Sequence, residues 1–300
     1  MIRSEVVNHA IEYILEHAKE NITVDEVAEY CHFSKFYFSR LFKAETGESV
    51  YAFIKRVKMD QSAFRLKIEK ERSITDISSD FGYSSSNYSS AFRGQYRVSP
   101  SDFRKDSYRR SVECPLFCQA GKEMETFAEC DSKITIEMLP EYFVIYERWI
   151  GNYGDLKQDW QFFLDKYKDY INEKTLLMEL TMDDPMITGE DRCLYEICIS
   201  ADKSCPLENT RILPGGKYAV YHFKGYTREI YAAYQGIHNV WLPQSGCQID
   251  KRYSFEIYRS VDCDTMYMEI DFCIPIKYSL QGTTQGRYLT GGVPPVRFSM

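Results

Sequence analysis

The chain has 300 residues, 44% hydrophobic and 15% aromatic, and carries a net charge of −7. That length suits two domains better than one, and the apolar content excludes wholesale disorder. No run approaches about 18 consecutive apolar residues, and the N-terminus lacks the charged-then-apolar layout of a secretion signal, so a cytoplasmic protein with no membrane partner is expected.

Charge splits the chain. Residues 1–110 hold 18 basic and 16 acidic side chains, net +2, whereas residues 111–300 hold 19 and 28, net −9. The acidic total argues against a polyanionic partner; a mildly basic third within it does not. The ten cysteines are scattered. Cys114 and Cys118 lack both Cys-x-x-Cys spacing and a histidine pair, so reduced thiols, no structural metal and no cofactor are expected.

The first third repeats itself at an offset of fifty: Val24 falls on Ile74, Val27 on Ile77, Phe38 on Tyr88, Phe42 on Phe92 and Phe53 on Phe103. In the first copy, Thr23 with Glu26 three residues on forms a capping box for a short helix to about Tyr30. Cys31-His32-Phe33 makes a turn, and Ser34 caps a second helix that Thr46-Gly47 stops. The second copy places Ser73 or Thr75 at its start, Gly82 at its turn and Ser84 or Ser85 at its next cap. Each copy predicts a helix-turn-helix.

Between them, Ser49 to about Lys70 predicts one helix, apolar at Val50, Phe53, Ile54, Val57, Phe64 and Ile68, with Lys55, Arg56, Lys58, Arg65 and Lys67 elsewhere. About twenty helical residues span roughly 30 Å, close to the roughly 34 Å of one duplex turn. Two reading heads on such a helix suit successive major-groove faces of double-stranded DNA, and a monomer suffices.

The second helix of copy one has two faces. Phe38, Leu41, Phe42 and Glu45 form the packing side; Lys35, Phe36, Ser39, Arg40 and Lys43 form a cationic side suited to a major groove. Arg40 can pair with guanine O6 and N7, Phe36 can meet a thymine methyl, and Lys35 and Lys43 can meet phosphate. The matching side of copy two is Ser85, Ser86, Ser89, Ser90 and Arg93, which predicts weaker base selection.

These motifs, including Phe33-Ser-Lys-Phe-Tyr-Phe-Ser-Arg-Leu-Phe-Lys, Ile77-Ser-Ser-Asp-Phe-Gly-Tyr-Ser-Ser and the closing Tyr96-Arg-Val-Ser-Pro-Ser-Asp-Phe-Arg, resemble the AraC/XylS-type DNA-binding domain over residues 5–105. The resemblance implies an all-α domain with two helix-turn-helix units in adjacent major grooves. It implies base contacts at Phe36, Ser39 and Arg40, then at Ser86, Ser89 and Ser90. Arg97 stands where the family usually has Gly.

Residues 109–129 read as a linker between an N-terminal domain (1–108) and a C-terminal one (130–278), with a flexible tail over 279–300. In the C-terminal domain a second repeat, at an offset of 74, lays Leu139-Pro140 on Leu213-Pro214 and Gly151 on Gly225. Strands are expected at Tyr142–Trp149, Leu176–Thr181, Leu194–Ser200, Lys217–Phe223, Tyr253–Arg259 and Met266–Ile274, with helices at Asp155–Tyr170 and Thr227–Trp241. The fold class is therefore multidomain, the second domain being α+β with two pseudo-symmetric strand-strand-helix-strand-strand repeats.

Leu213-Pro-Gly-Gly-Lys-Tyr-Ala-Val-Tyr, Trp241-Leu-Pro-Gln-Ser-Gly, Phe255-Glu-Ile-Tyr and Ile270-Asp-Phe-Cys-Ile-Pro-Ile resemble the GyrI-like effector-binding domain of Rob-type regulators. The resemblance implies that Glu256 lies in an aromatic cleft that takes cationic or polar ligands. Strand alternation sends Phe255 and Ile257 one way and Glu256 with Ser254 and Tyr258 the other. Trp241, Tyr146, Trp160 and Tyr226, with Trp149, are candidate walls, and Glu179 occupies the related strand of the first repeat. The expected whole is a bacterial transcription regulator sensing a small aromatic or cationic effector and meeting RNA polymerase. Its rivals are a hydrolase using Glu256 as general base and a ligand-independent protein-interaction module; no nucleophile–base pair is legible, and a non-enzyme is expected.

Overall fold

The computed structural model describes residues 1–278; the tail expected over 279–300 lies outside the described residues. The described residues form two units, one of Met1–Tyr108 with Arg148–Gly151 and Asp183–Cys193, the other of Arg109–Glu147, Asn152–Met182 and the described residues from Leu194.

Local capping chemistry sets the helices of the first unit: α1 (Glu5–Glu16), α2 (Val24–Tyr30), α3 (Lys35–Thr46), α4 (Val50–Ile68), α5 (Ile74–Asp80), α6 (Ser85–Tyr96) and α7 (Pro100–Glu113). Thr23 and Glu26 form the reciprocal capping box at α2, and Ser34, Ser49, Ser73 and Ser84 each accept a backbone N–H of the following helix. α3 ends on Gly47 at φ 79°, and the equivalent position fifty residues on is Arg97 at φ 62°. A side chain there costs on the order of 1 kcal/mol relative to Gly.

The two halves repeat down to ring geometry. Phe38 and Phe42 lie 5.7 Å apart by centroid, and Phe42 meets Phe53 edge-on at 5.2 Å and 80°. Tyr88 and Phe92 lie 5.4 Å apart, and Phe92 meets Phe103 at 5.3 Å and 76°. All six rings are buried, and truncating one of the phenylalanines to alanine would cost about 3–5 kcal/mol.

α4 departs from the expected pattern. Arg56, Lys58 and Lys67, off its apolar stripe, are nevertheless buried. Each has an acceptor: Arg56 donates to Glu48 at 2.7 Å, Lys58 to the Glu20 carbonyl at 2.7 Å, and Lys67 to Asp184 at 2.5 Å. Asp60 is buried too, accepting from Tyr96 at 2.5 Å, Gln95 at 2.6 Å and Thr188 at 3.1 Å; burial and the neighbouring Asp183 push it up to about 7.

The stretch expected as a linker is largely helical: α7 runs to Glu113, followed by α8 (Pro115–Cys118) and α9 (Phe127–Ser132). Pro115 at the first turn of α8 and a Thr126–Glu129 capping box on α9 are local start signals that need no long periodic stretch.

The second unit is built on β1 (Ile134–Leu139), β2 (Tyr142–Gly151), α10 (Leu156–Tyr167), β3 (Leu177–Thr181), α11 (Pro185–Thr188), β4 (Cys193–Ser200), β5 (Thr210–Leu213), β6 (Gly216–Tyr226), α12 (Ile230–Gly236), β7 (Cys247–Ile249), β8 (Phe255–Asp262) and β9 (Tyr267–Tyr278). Of these, α11, the last residues of β2 and the first residue of β4 belong by contact to the first unit. The sheet runs β1-β6-β9-β8-β3-β4-β2-β5, with β7 beside β9. From the β8–β3 junction outward, each side shows the third, fourth and second strand of one repeat, then the first strand of the other. The pseudo-symmetric halves therefore exchange their first strands, β1 onto β6 and β5 onto β2.

One face of the sheet carries an apolar core of Val144, Met178, Leu180, Cys198, Phe255 and Ile257 with their neighbours. Near β1, His222 bonds Asp271 at 2.7 Å through Nδ1 and Thr135 at 2.9 Å through Nε2, while Thr135 donates to Glu137 at 2.6 Å. An imidazolium satisfies this chain with both N–H groups donating, and the hydrogen bond to Asp271 raises its pKa. A raised folded pKa adds stability that is complete below the ordinary histidine range of about 6.5 and is lost as pH rises through the raised value. The urea midpoint of the wild type, relative to His222→Gln, is expected to fall as pH rises from about 6 to 8; a constant difference would mean that His222 has the same pKa folded and unfolded.

Candidate functional site

The geometry presents two sites, one in each unit. On α3, the buried Phe38 and Phe42 fix the helix roll, leaving Lys35, Phe36, Arg40 and Lys43 exposed and Ser39 partly so. Phe36 is 74% exposed, a large apolar ring held in water. Arg40 lies beside it, its guanidinium 5.8 Å from the ring centroid, so the pair can present a bidentate donor next to an apolar contact. Lys35 is paired with Asp25 at 2.7 Å; such an exposed pair is weak and leaves its ammonium available to a stronger anion.

On α6, Tyr88 and Phe92 fix the roll in the same way, and Ser85, Ser86, Ser89, Ser90 and Arg93 are exposed. The serine hydroxyls are partly committed locally: Ser89 donates to the Ser85 carbonyl at 2.9 Å, and Ser86 lies 3.4 Å from the Ser84 hydroxyl. Ser90→Ala is accordingly expected to weaken DNA binding by about 0.5 kcal/mol or less, far below the loss in Arg40→Ala, when both are titrated by fluorescence anisotropy on one duplex. A comparable loss would make α6 an equal reader.

The second site lies at the centre of the sheet. β3 and β8 are the equivalent strands of the two halves, and their register sets Glu179 directly opposite Glu256. Both carboxyls lie on the face away from the apolar core and are almost wholly buried, at 1% and 2% exposure. Glu179 Oε2 accepts from Trp160 Nε1 at 3.0 Å and from the Tyr258 hydroxyl at 2.9 Å. Glu256 Oε1 accepts from the Tyr234 hydroxyl at 2.9 Å.

Aromatic faces enclose the pair. Trp160 meets Tyr258 edge-on at 5.2 Å, and Tyr234 stacks on Phe272 at 4.4 Å and 13°. Burial is the main cause that raises both carboxyls, Glu179 to about 7 and Glu256 well above the usual range, and the charge of Glu179 adds to the rise at Glu256. A buried acidic pair walled by rings suits a cation held by charge and ring faces together.

Of the residues expected here, the structure brings Glu256, Tyr258 and Trp160 together. It does not bring Trp241, Tyr146 or Tyr226. Trp241 is buried with its N–H on Asp131 at 3.0 Å. Tyr146 packs on the apolar core of the opposite sheet face, and Tyr226 is exposed against Tyr267. Aromatic richness marks both faces of a sheet and its edges alike, which is why it misplaced these three. Tyr234 was missed: its position on α12 depends on how that helix lies over the sheet, which no local pattern carries.

A family profile described as a GyrI-like small molecule binding domain matches residues 132–277, and one described as a helix-turn-helix domain matches residues 27–106. Regulatory protein SoxS of Salmonella typhimurium is 32% identical over 105 residues, which cover 35% of this chain and 97% of that protein. The SPbeta prophage-derived putative transcriptional regulator YosT of Bacillus subtilis is 29% identical over 147 residues, covering 45% of this chain and 97% of that protein. Among solved structures, the C-terminal domain of AraT, a response regulator from Geobacillus stearothermophilus, is 32% identical with a TM-score of 0.33, covering 34% of this chain and 85% of that one.

Proposed function

The chain belongs to the AraC-type helix-turn-helix transcription regulators, with a GyrI-like small-molecule binding domain in its C-terminal part, and from that premise we propose that α3 and α6 read one duplex in successive major grooves while the Glu179–Glu256 pair senses an aromatic or cationic effector. In the DNA-binding part, α3 is the principal reader: Arg40 and Phe36 select bases, Lys35 and Lys43 hold phosphate, and α6 adds contacts of lower selectivity. The protein acts as a monomer, and its output is a changed engagement of RNA polymerase. The effector acts by binding one arrangement of the regulator more tightly than another.

The observation that carries the effector reading is the pair itself: two carboxyls buried under Trp160, Tyr234 and Tyr258. A cation supplies the positive charge that such a site lacks. Glu256→Gln is therefore expected to weaken N-methylquinolinium, an aromatic cation, by about tenfold (about 1.4 kcal/mol), and to leave 1-methylnaphthalene, its neutral isostere, nearly unaffected. Isothermal titration of both compounds decides it; equal losses would remove charge from the account.

A further inference from the structure

The effector reading leaves open what the buried carboxyls do when a cation arrives. We propose that the Glu179–Glu256 pair is a cation-for-proton exchange site: it takes up one organic monocation and releases one proton to solvent, so the buried site keeps the same net charge empty and filled. This rests on the effector reading above and adds a second carboxyl and a proton to it.

Geometry carries the step. The two glutamates occupy equivalent positions in the two repeats and meet at the pseudo-twofold junction of β3 and β8. Directly opposed residues on neighbouring antiparallel strands have Cβ atoms about 4.5–5.5 Å apart, so two ionised carboxylates here would repel strongly in a medium of low dielectric.

The surrounding groups do not relieve that repulsion. Those acting on the pair are Asp159 on α10, Tyr195 on β4, Tyr234 on α12, Tyr258 on β8 and Cys273 on β9. None of these five groups is basic. Asp159 adds a further negative charge, partly met by the Tyr195 hydroxyl at 2.6 Å.

Tyr258 donates to Glu179 at 2.9 Å and Tyr234 to Glu256 at 2.9 Å; neutral hydroxyls can stabilise one carboxylate but bring no counter-charge for two, so the pair titrates as a unit. Burial and mutual repulsion hold its protons into the neutral range, where a permanent cation can displace one. The proton leaves to buffer, the cation takes its place, and no bond other than O–H breaks.

The test is isothermal titration of the full chain with N-methylquinolinium, whose charge cannot titrate, in buffers of different ionisation enthalpy. The expected result is about one proton released per cation at pH 6, falling towards zero by about pH 8, with affinity rising up to about tenfold per pH unit below that range. Glu179→Gln removes the repelling neighbour, so the pH dependence should move to lower pH. Infrared difference spectra of the wild type, which need no variant, should show loss of a protonated-carboxyl band on adding the cation. Cation binding without proton release at any pH, and without loss of that band, overturns the exchange and leaves the effector reading standing. No binding of the cation, or equal binding of 1-methylnaphthalene, overturns both.

Discussion

Replacing Lys67 by Met is expected to destabilise the helical unit by about 3–5 kcal/mol. The Lys67 side chain is fully buried on α4, and its ammonium lies 2.5 Å from Asp184 Oδ2. Asp184 is itself buried, at 6% side-chain exposure, and its other oxygen accepts the Met186 N–H at 3.0 Å at the start of α11. Removing the ammonium takes a full positive charge from beside a carboxylate with little access to water, and the cost reflects that poorly solvated carboxylate more than the net worth of the pair. The double variant Lys67→Met/Asp184→Asn should therefore recover more than half of the loss. Urea denaturation followed by helical circular dichroism measures both, and a single-variant loss below about 1 kcal/mol would mean that the pair is solvated.

Arg40→Ala is expected to weaken binding to a selected duplex by about 1–3 kcal/mol and to relax base preference at one position. The reason is its station on α3: exposed beside Phe36, on the side opposite Phe38 and Phe42. A guanidinium there can reach two acceptors on one guanine edge, whereas a phosphate contact would be indifferent to sequence. Competition with duplexes altered one base pair at a time separates these roles. Equal weakening on every duplex, with a shallower salt dependence, would make Arg40 a phosphate contact.

The parts of this molecule that depend on neighbours in sequence were legible, and those that depend on distant partners were not. Thr23, Glu26, Ser34 and Ser84 act within one helical turn, so the helix-turn-helix units fall within a residue or two of their expected bounds. The repeat at offset fifty likewise exposed the aromatic layer, because Phe38, Phe42 and Phe53 reappear as Tyr88, Phe92 and Phe103 in the same packing. The burial of Lys67 was not legible, because its partner lies 117 residues away.

The sheet shows the same division. Alternation along β8 correctly separated Glu256 and Tyr258 from Phe255 and Ile257, since side-chain direction is a property of one strand. Strand register is a property of two, so the opposition of Glu179 and Glu256 was out of reach even with both residues in view. The exchange of first strands between repeats was equally hidden, because β1 and β6 meet across more than seventy residues.

The central claim, a DNA reader whose output answers to a buried acidic sensor, is tested most directly by run-off transcription from a template carrying a duplex selected by the full chain. Purified RNA polymerase is added, with N-methylquinolinium or 1-methylnaphthalene at matched concentration. The account predicts that transcript yield changes with the cation, not with its neutral isostere, and that Glu256→Gln removes the response while DNA binding persists. A yield indifferent to the cation, or a response that survives in Glu256→Gln, would contradict it.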